Sequence, residues 1–134
     1  MRVTRIAALA AVAALSVLAV AGSAWAHHAF ATEFNSNRPV LLRGTVSKVE
    51  FINPHSWIHI DVENEDGTVT TWMIEGGSPN ALLRRGIDRN TLPIGAEIVV
   101  DGYGSRDGGN KAVGVDVKHA DGRELFLGGT SRDQ

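Results

Sequence analysis

Residues 53–62 read Asn-Pro-His-Ser-Trp-Ile-His-Ile-Asp-Val, and this stretch decides the fold class. After Pro54 the side chains alternate with a period of two, which is typical of a β-strand with one buried face. Pro54 has no amide hydrogen for a ladder hydrogen bond, so it belongs at the entry to the strand. We expect two faces, the inward one with Ser56, Ile58, Ile60 and Val62 and the outward one with His55, Trp57, His59 and Asp61.

Further strands are predicted on both sides of this one. The stretch 40–52 follows Pro39, and its alternation slips between Val46 and Val49, which indicates a β-bulge. Asp-Gly pairs at 66–67 and 121–122 favour tight hairpin turns, because glycine readily adopts a positive φ. The predicted strands are residues 40–52, 55–62, 68–75, 97–103, 111–119 and 124–127.

One short helix is predicted over residues 78–85, between strands three and four. Ser78 suits the N-cap, Pro79 the first helical position, and Gly86 the left-handed residue that ends a helix. We expect Leu82 and Leu83 to dock this helix on the sheet. Three strands, a helix, two strands and a terminal arm are the order of an OB-fold, a small Greek-key barrel of five to six strands. A β-sandwich is the alternative.

The first 26 residues are predicted to be a secretory signal peptide. Arg2 and Arg5 precede an apolar run over residues 6–21, and small residues flank Trp25 just before the expected cut after Ala26. The expected parts of the chain are then the signal peptide 1–26, an N-terminal tail 27–38, the β-domain 39–127 and a flexible tail 128–134. No second apolar run reaches membrane length, so we expect no integral membrane protein after processing. The expected compartment is the bacterial periplasm, with extracellular release as the alternative.

Composition narrows the classes of function. The chain of 134 residues has a formal charge of −2, and removal of Arg2 and Arg5 lowers it to −4. A nucleic-acid partner is therefore not expected, because phosphate binding requires a basic patch. The absence of cysteine fits export and excludes disulfides and a thiol nucleophile. No Gly-x-Ser-x-Gly or His-Glu-x-x-His motif is present, so we expect a protein that is not an enzyme and that binds a small ligand or a periplasmic protein partner.

The candidate ligand-binding residues follow from the OB-like order. Ligands of that fold lie on the face of strands two and three, between the loops that join strands one and two and strands four and five. Trp72 can join this face only if it points outward, which Ile74 argues against. The alternative is a solvated edge with one stacking tryptophan. The candidates are Asn53, His55, Trp57, His59, Arg106, Asp107 and Asn110.

A copper site is the second hypothesis. Cleavage after Ala26 exposes His27 and His28, and an α-amine with the imidazole of the same residue can chelate a metal ion, completed by His28 or His55. Cleavage after Ala24 would instead place His27 third, in a square-planar Cu(II) site. The alternative is that these histidines belong to a tail without a ligand. His55 and His59 cannot share one ion, because residues four apart on a strand lie twice as far apart as the roughly 7 Å between same-face neighbours.

Four segments together resemble a family of small exported bacterial proteins, domain-of-unknown-function family 6152. They are His-His-Ala-Phe at 27–30, Gly-Thr-Val-x-Lys-Val-Glu at 44–50, Asn-Pro-His-x-Trp at 53–57 and Glu-Gly-Gly-Ser-Pro-Asn-x-Leu-x-Arg-x-Gly at 75–86. The resemblance covers nearly all of residues 27–134. It implies an exported β-rich domain without an assigned function, and it implies no catalytic residues.

The copper hypothesis predicts that the exported protein binds Cu(II) more tightly than a form that starts with an added methionine. Loss of one chelating arm should weaken binding more than tenfold, or about 1.4 kcal/mol. Binding should also weaken below about pH 6, where imidazole and amine become protonated. Calorimetric titration measures both effects, with His27→Ala as the disrupting variant and His119→Ala as the control. Equal affinity of the two forms would exclude the N-terminal site.

Overall fold

The structure, a computed structural model, describes residues 32–125. The predicted signal peptide, His27 and His28, and the predicted strand residues 126–127 with the tail that follows lie outside the described residues. Within the described part the chain is mostly β. Its elements are β1 (Phe34–Glu50), β2 (Trp57–Glu63), β3 (Val69–Glu75), α1 (Pro79–Arg84), β4 (Glu97–Ser105), β5 (Lys111–His119) and β6 (Glu124–Leu125).

The strands form one sheet in the order β3-β2-β1-β4-β5-β6, and all of these neighbours are antiparallel. β3 also pairs with β5 in parallel, where Met73 lies opposite Lys111 and Glu75 opposite Val113. Each strand from β1 to β5 therefore has a strand partner on both sides. The predicted mostly-β chain with one short helix between the third and fourth strands is confirmed.

The inward face of β2 lies at the centre of the core, as its alternation predicts. Ile58 and Ile60 are fully buried, and Ile74 of β3 and Val46 of β1 pack in the same cluster. The outward residues Trp57, His59 and Asp61 are half-buried, and His55 is exposed. The register expected for this strand is confirmed.

β1 bends where its alternation slips. Its register against β2 shifts between Val46 and Lys48, which confirms the predicted bulge. Glycine is required at position 44, because a Cβ there would lie 2.8 Å from the backbone oxygen of Asp61. The two strands can therefore approach closely just before the bulge.

β1 begins at Phe34, six residues earlier than the sequence predicts, so residues 34–38 are part of the strand. Phe34 is buried and pairs with Ser105, and the register then shifts before Pro39 reaches its partner Tyr103. The irregular stretch accommodates Pro39 inside the strand, and for this reason the proline does not mark its start.

α1 has the predicted caps but buries one leucine, not two. The Ser78 hydroxyl accepts a hydrogen bond from the backbone N–H of Ala81 at 3.4 Å, and Gly86 has a φ of +76°. Leu82 is buried, whereas Leu83 is exposed. The docking expected of Leu83 is wrong, because adjacent helical residues point about 100° apart and a six-residue helix turns one narrow face to the sheet.

Ile58→Asp should unfold the protein or prevent its accumulation. The carboxylate would be buried without a partner, which costs several kcal/mol against a total free energy of unfolding of about 5–15 kcal/mol. Asp61→Asn is the control, since an amide oxygen can still accept the 2.7 Å hydrogen bond from the Thr71 hydroxyl, and its effect should stay within about 0.5 kcal/mol. Thermal melts compare the two, and the opposite ranking would mean that the register of β2 is shifted by one residue.

Candidate functional site

Trp57 lies on the outer face of the sheet between two glutamates. Its directly opposite residue on β1 is Glu50, and its directly opposite residue on β3 is Glu75. Opposite residues project to the same face with Cβ atoms about 4.5–5.5 Å apart. The backbone pairing alone therefore places one carboxylate on each side of the indole. We call the surface formed by Glu50, His55, Trp57, His59, Glu75 and Lys111 the Trp57 face.

The Glu50 carboxylate binds two neighbouring side chains at once. His59 Nε2 lies 2.7 Å from Glu50 Oε2, and the Lys48 ammonium donates to Glu50 Oε1 at 2.7 Å. The hydrogen bond from Lys48, and then that with His59, hold the pKa of Glu50 below its usual value. The bulge in β1 sets this geometry, because Lys48 lies opposite His59 only after the register has shifted.

The Glu75 carboxylate binds the imidazole of His55. Glu75 Oε1 contacts His55 Nδ1, and the side chain of Glu75 is 10% exposed whereas that of His55 is 49% exposed. Two backbone hydrogen bonds, just before β2 begins and just after β3 ends, hold the pair together, from Ser56 N–H to the Gly77 oxygen at 3.0 Å and from Gly76 N–H to the Ser56 oxygen at 2.9 Å. The result is a nearly buried carboxylate beneath a half-exposed histidine.

The loop between β4 and β5 closes one side of the Trp57 face. The Asn110 backbone oxygen accepts the N–H of Met73 at 3.0 Å, which ties the loop to β3. Lys111 then places its ammonium 5.4 Å from the ring centroid of Trp57, within the range of a cation–π contact. Asp107 organises the loop internally, because its carboxylate accepts from the Ser105 hydroxyl at 2.6 Å and from the Gly109 N–H at 2.9 Å. These two hydrogen bonds, Ser105 first, lower the pKa of Asp107.

Arg38 fixes the same loop from β1. Its guanidinium donates to the backbone oxygens of Ser105, Gly108 and Gly109 at 3.0, 3.2 and 3.1 Å. The guanidinium also lies 5.8 Å from the ring centroid of Trp72, which packs against the core. Trp72 therefore does not join the Trp57 face, in agreement with the argument from Ile74.

The structure brings some of the sequence candidates together and leaves others apart. His55, Trp57 and His59 lie on one face, and the loop with Arg106, Asp107 and Asn110 is held beside β3. Asp107 organises the loop itself, the backbone oxygen of Asn110 ties the loop to β3, and Asn53 lies in the exposed connection between β1 and β2.

Sequence reasoning missed four residues of this region. They are Arg38, Glu50, Glu75 and Lys111. For Glu50 and Glu75 a signal was present, since each ends or begins one of the segments on which the family resemblance depends. The partners of Arg38 and Lys111 are distant in sequence or on other strands, and no local pattern indicates them.

Of the three predicted copper ligands, His55 lies among the described residues. His55 and His59 contact different carboxylates, Glu75 and Glu50. Within residues 32–125 no three His, Cys, Asp or Glu side chains are grouped so that they could hold a metal ion. The copper site at His27, with His28 or His55, stays a prediction because both N-terminal histidines lie outside the described residues.

A separate cleft of about 770 Å³ lies between the segment after α1 and the turn from β5 to β6. Two of its charged side chains pair with each other, Arg123 with Asp121 at 2.8 Å, and Glu97 pairs with Arg43 at 3.0 Å. His119 lines this cleft, but no Phe, Tyr or Trp side chain of the described residues does. The chemistry of the outer face of β2 is therefore richer, and we place the candidate site there.

The lowered pKa of Glu50 predicts an acid-sensitive contribution to stability. The carboxylate pairing stabilises the fold fully above about pH 4.5, the usual value for the unfolded chain, and this stabilisation is lost as the pH falls through the lower folded pKa. The difference in free energy of unfolding between wild type and Glu50→Gln should therefore shrink from pH 5 to pH 3. Urea unfolding followed by tryptophan fluorescence measures it. Lys48→Met should remove most of this dependence, and a difference that stays constant down to pH 3 would contradict the pairing.

Comparison with known proteins adds a family and no function. Within residues 32–125 there is no helix with the length and apolar character needed to span a bilayer. A search of curated proteins found no match, and a search of solved structures also found none. A family model described as a family of unknown function, DUF6152, matches residues 12–115. Since this match covers more than half of the sequence, the chain belongs to the DUF6152 family.

Proposed function

We propose that this protein is a non-enzymatic binding module of the bacterial periplasm, with an OB-like barrel that binds a small ligand or a partner protein through the Trp57 face. Export is supported by the basic and apolar N-terminal residues 1–26 and by the absence of cysteine.

The strand pairing supports the OB-like architecture. β1 pairs with both β2 and β4, β3 pairs in parallel with β5, and α1 lies between β3 and β4 in the chain. Ligands of OB-folds use the face of strands two and three and the two loops beside it. The Trp57 face has this position, and the loop before β5 is tied directly to β3.

The observation that carries the proposal is the position of Trp57 between two carboxylate–imidazole pairs. An indole on an outer face offers a large rigid contact area, and aromatic anchors of this kind dominate binding energies. The pairs Glu50–His59 and Glu75–His55 hold polar groups in fixed places beside it. A rigid apolar surface with ordered polar neighbours is the usual composition of a binding site.

Non-enzymatic binding is supported by the contacts that the carboxylates of the Trp57 face already make. Glu50 already binds Lys48 and His59, and Glu75 binds His55. None of the described contacts places a serine or threonine hydroxyl on the imidazole of His55, as a hydroxyl nucleophile activated by this histidine would require.

Native mass spectrometry of the exported protein tests the proposal. A bound small molecule or a co-purifying protein should accompany the wild type, and Trp57→Ala should reduce its occupancy at least tenfold, since a central tryptophan typically contributes more than the 1.4 kcal/mol that this factor represents. Leu83→Ala is the control, because Leu83 is exposed on α1 outside the face. Trp57→Phe should retain part of the binding and shows that the fold survives. Equal occupancy in Trp57→Ala, or no bound species in the wild type, would exclude this function.

Copper binding is the second candidate, and the Glu75–His55 contact favours it. Histidines that bind metals usually donate their other ring N–H to a carboxylate, which fixes the ring and raises its basicity. His55 has such a carboxylate and is half exposed. The other ligands would be the α-amine and imidazole of His27, with His28 as a further candidate, and the comparison of native and methionine-capped protein tests them.

A further inference from the structure

We infer that Glu75 is a positioning residue that fixes the protonation pattern of His55, so that Nε2 is an unprotonated acceptor turned to the ligand. The group bound there is then an electron-pair acceptor, a divalent transition-metal ion or a hydrogen-bond donor, and not a carboxylate or phosphate. The ligand class rests on the proposed function, whereas the state of the ring can be tested without a ligand.

The first step follows from the chemistry of the contact. An ionised carboxylate can only accept hydrogen bonds, so the ring nitrogen that it contacts carries the hydrogen. In His55 that nitrogen is Nδ1, and in His59 it is Nε2. A neutral imidazole has one N–H, so in the neutral form of each ring the lone pair is on Nε2 in His55 and on Nδ1 in His59.

Burial separates the roles of the two histidines. The side chain of His59 is 16% exposed and that of His55 is 49% exposed. The nearly buried carboxylate of Glu75 contacts Nδ1 of His55. The exposed side of the ring is therefore the one that carries Nε2. Of the two, His55 therefore offers the more accessible acceptor.

The negative charge of Glu75, which contacts the His55 ring, disfavours an anionic ligand at Nε2. A carboxylate or phosphate at Nε2 would be repelled by the nearly buried Glu75 carboxylate, and water screens this repulsion only in part because the ring is half-exposed. Lys48 pairs with Glu50, and Lys111 lies against the indole of Trp57. A metal ion or a hydrogen-bond donor at Nε2 is instead bound more tightly, because the Glu75 carboxylate raises the basicity of the imidazole.

Long-range ¹H–¹⁵N spectra of the ¹⁵N-labelled exported protein at pH 7.5 test the ring state. We expect His55 with a protonated Nδ1 and a bare Nε2, and His59 with the opposite pattern, with assignments from His55→Gln and His59→Gln. Glu75→Met removes the acceptor at similar volume, and it should let His55 populate both patterns. Glu50→Met is the matched control, which should change His59 and leave His55 as it is. A protonated Nε2 on His55 in the wild type would overturn the inference.

Titration with Zn²⁺ alone and with inorganic phosphate alone tests the ligand class in the same spectra. Zn²⁺ should shift His55 Nε2, and Glu75→Met should weaken this at least tenfold, the usual effect of losing such a carboxylate. Phosphate should leave His55 unshifted. A phosphate shift at His55, or no Zn²⁺ shift, would overturn the assignment.

Treatment of the exported protein and its bound species with EDTA distinguishes a bound metal ion from a bound hydrogen-bond donor. Loss of the Nε2 shift identifies a metal ion and retention identifies a donor group, and both agree with the inference. If no bound species exists but the ring pattern is found, the proposed function fails and the role of Glu75 stands.

Discussion

The two-sided hydrogen bonding of β2 is the constraint on which the rest of the structure depends. Because β1 and β3 both pair with it in fixed register, its apolar row must enter the core and its polar row must face outward. Ile58 and Ile60 are buried for this reason, and Trp57 has a residue of a neighbouring strand on each side. A slip of one residue would bury the indole of Trp57, the imidazole of His59 and the carboxylate of Asp61, so core stability and the geometry of the outer face depend on the same register.

The outer face is ordered by charge pairing rather than by packing. A nearly buried carboxylate such as Glu75 is tolerated when a hydrogen-bonding partner compensates its lost hydration, and His55 provides one. Glu50 is more open and has two partners, Lys48 and His59. Arg38 orders the nearby loop in a similar way, since one guanidinium donates to three backbone oxygens of the loop. Few side chains on this face are therefore free to change position independently.

Much of the fold could be predicted from the sequence, because its signals are local. Alternation in β2, the slip in β1, the Ser78-Pro79 cap and the Asp66-Gly67 turn each reflect a preference that neighbouring residues express together. The start of β1 could not be predicted, since Phe34 is ordered by Ser105, which is 71 positions away. For the site, the aromatic and imidazole residues of β2 were identified, but Glu50 and Glu75 acquire their roles from strand pairing, which no single segment specifies.

The two carboxylate–imidazole pairs differ in a way that assigns them different tasks. Glu50 has two partners, and its histidine partner is largely buried. This pair therefore links β1 to β2 and leaves little exposed surface for a ligand. Around Glu75 the order is reversed, with the carboxylate covered and the histidine open. Since both pairs flank one indole, a ligand bound on Trp57 as proposed would meet the largely covered His59 on one side and the more exposed His55 on the other. The asymmetry comes from position along β2, because His55 lies before the strand begins and His59 lies within it.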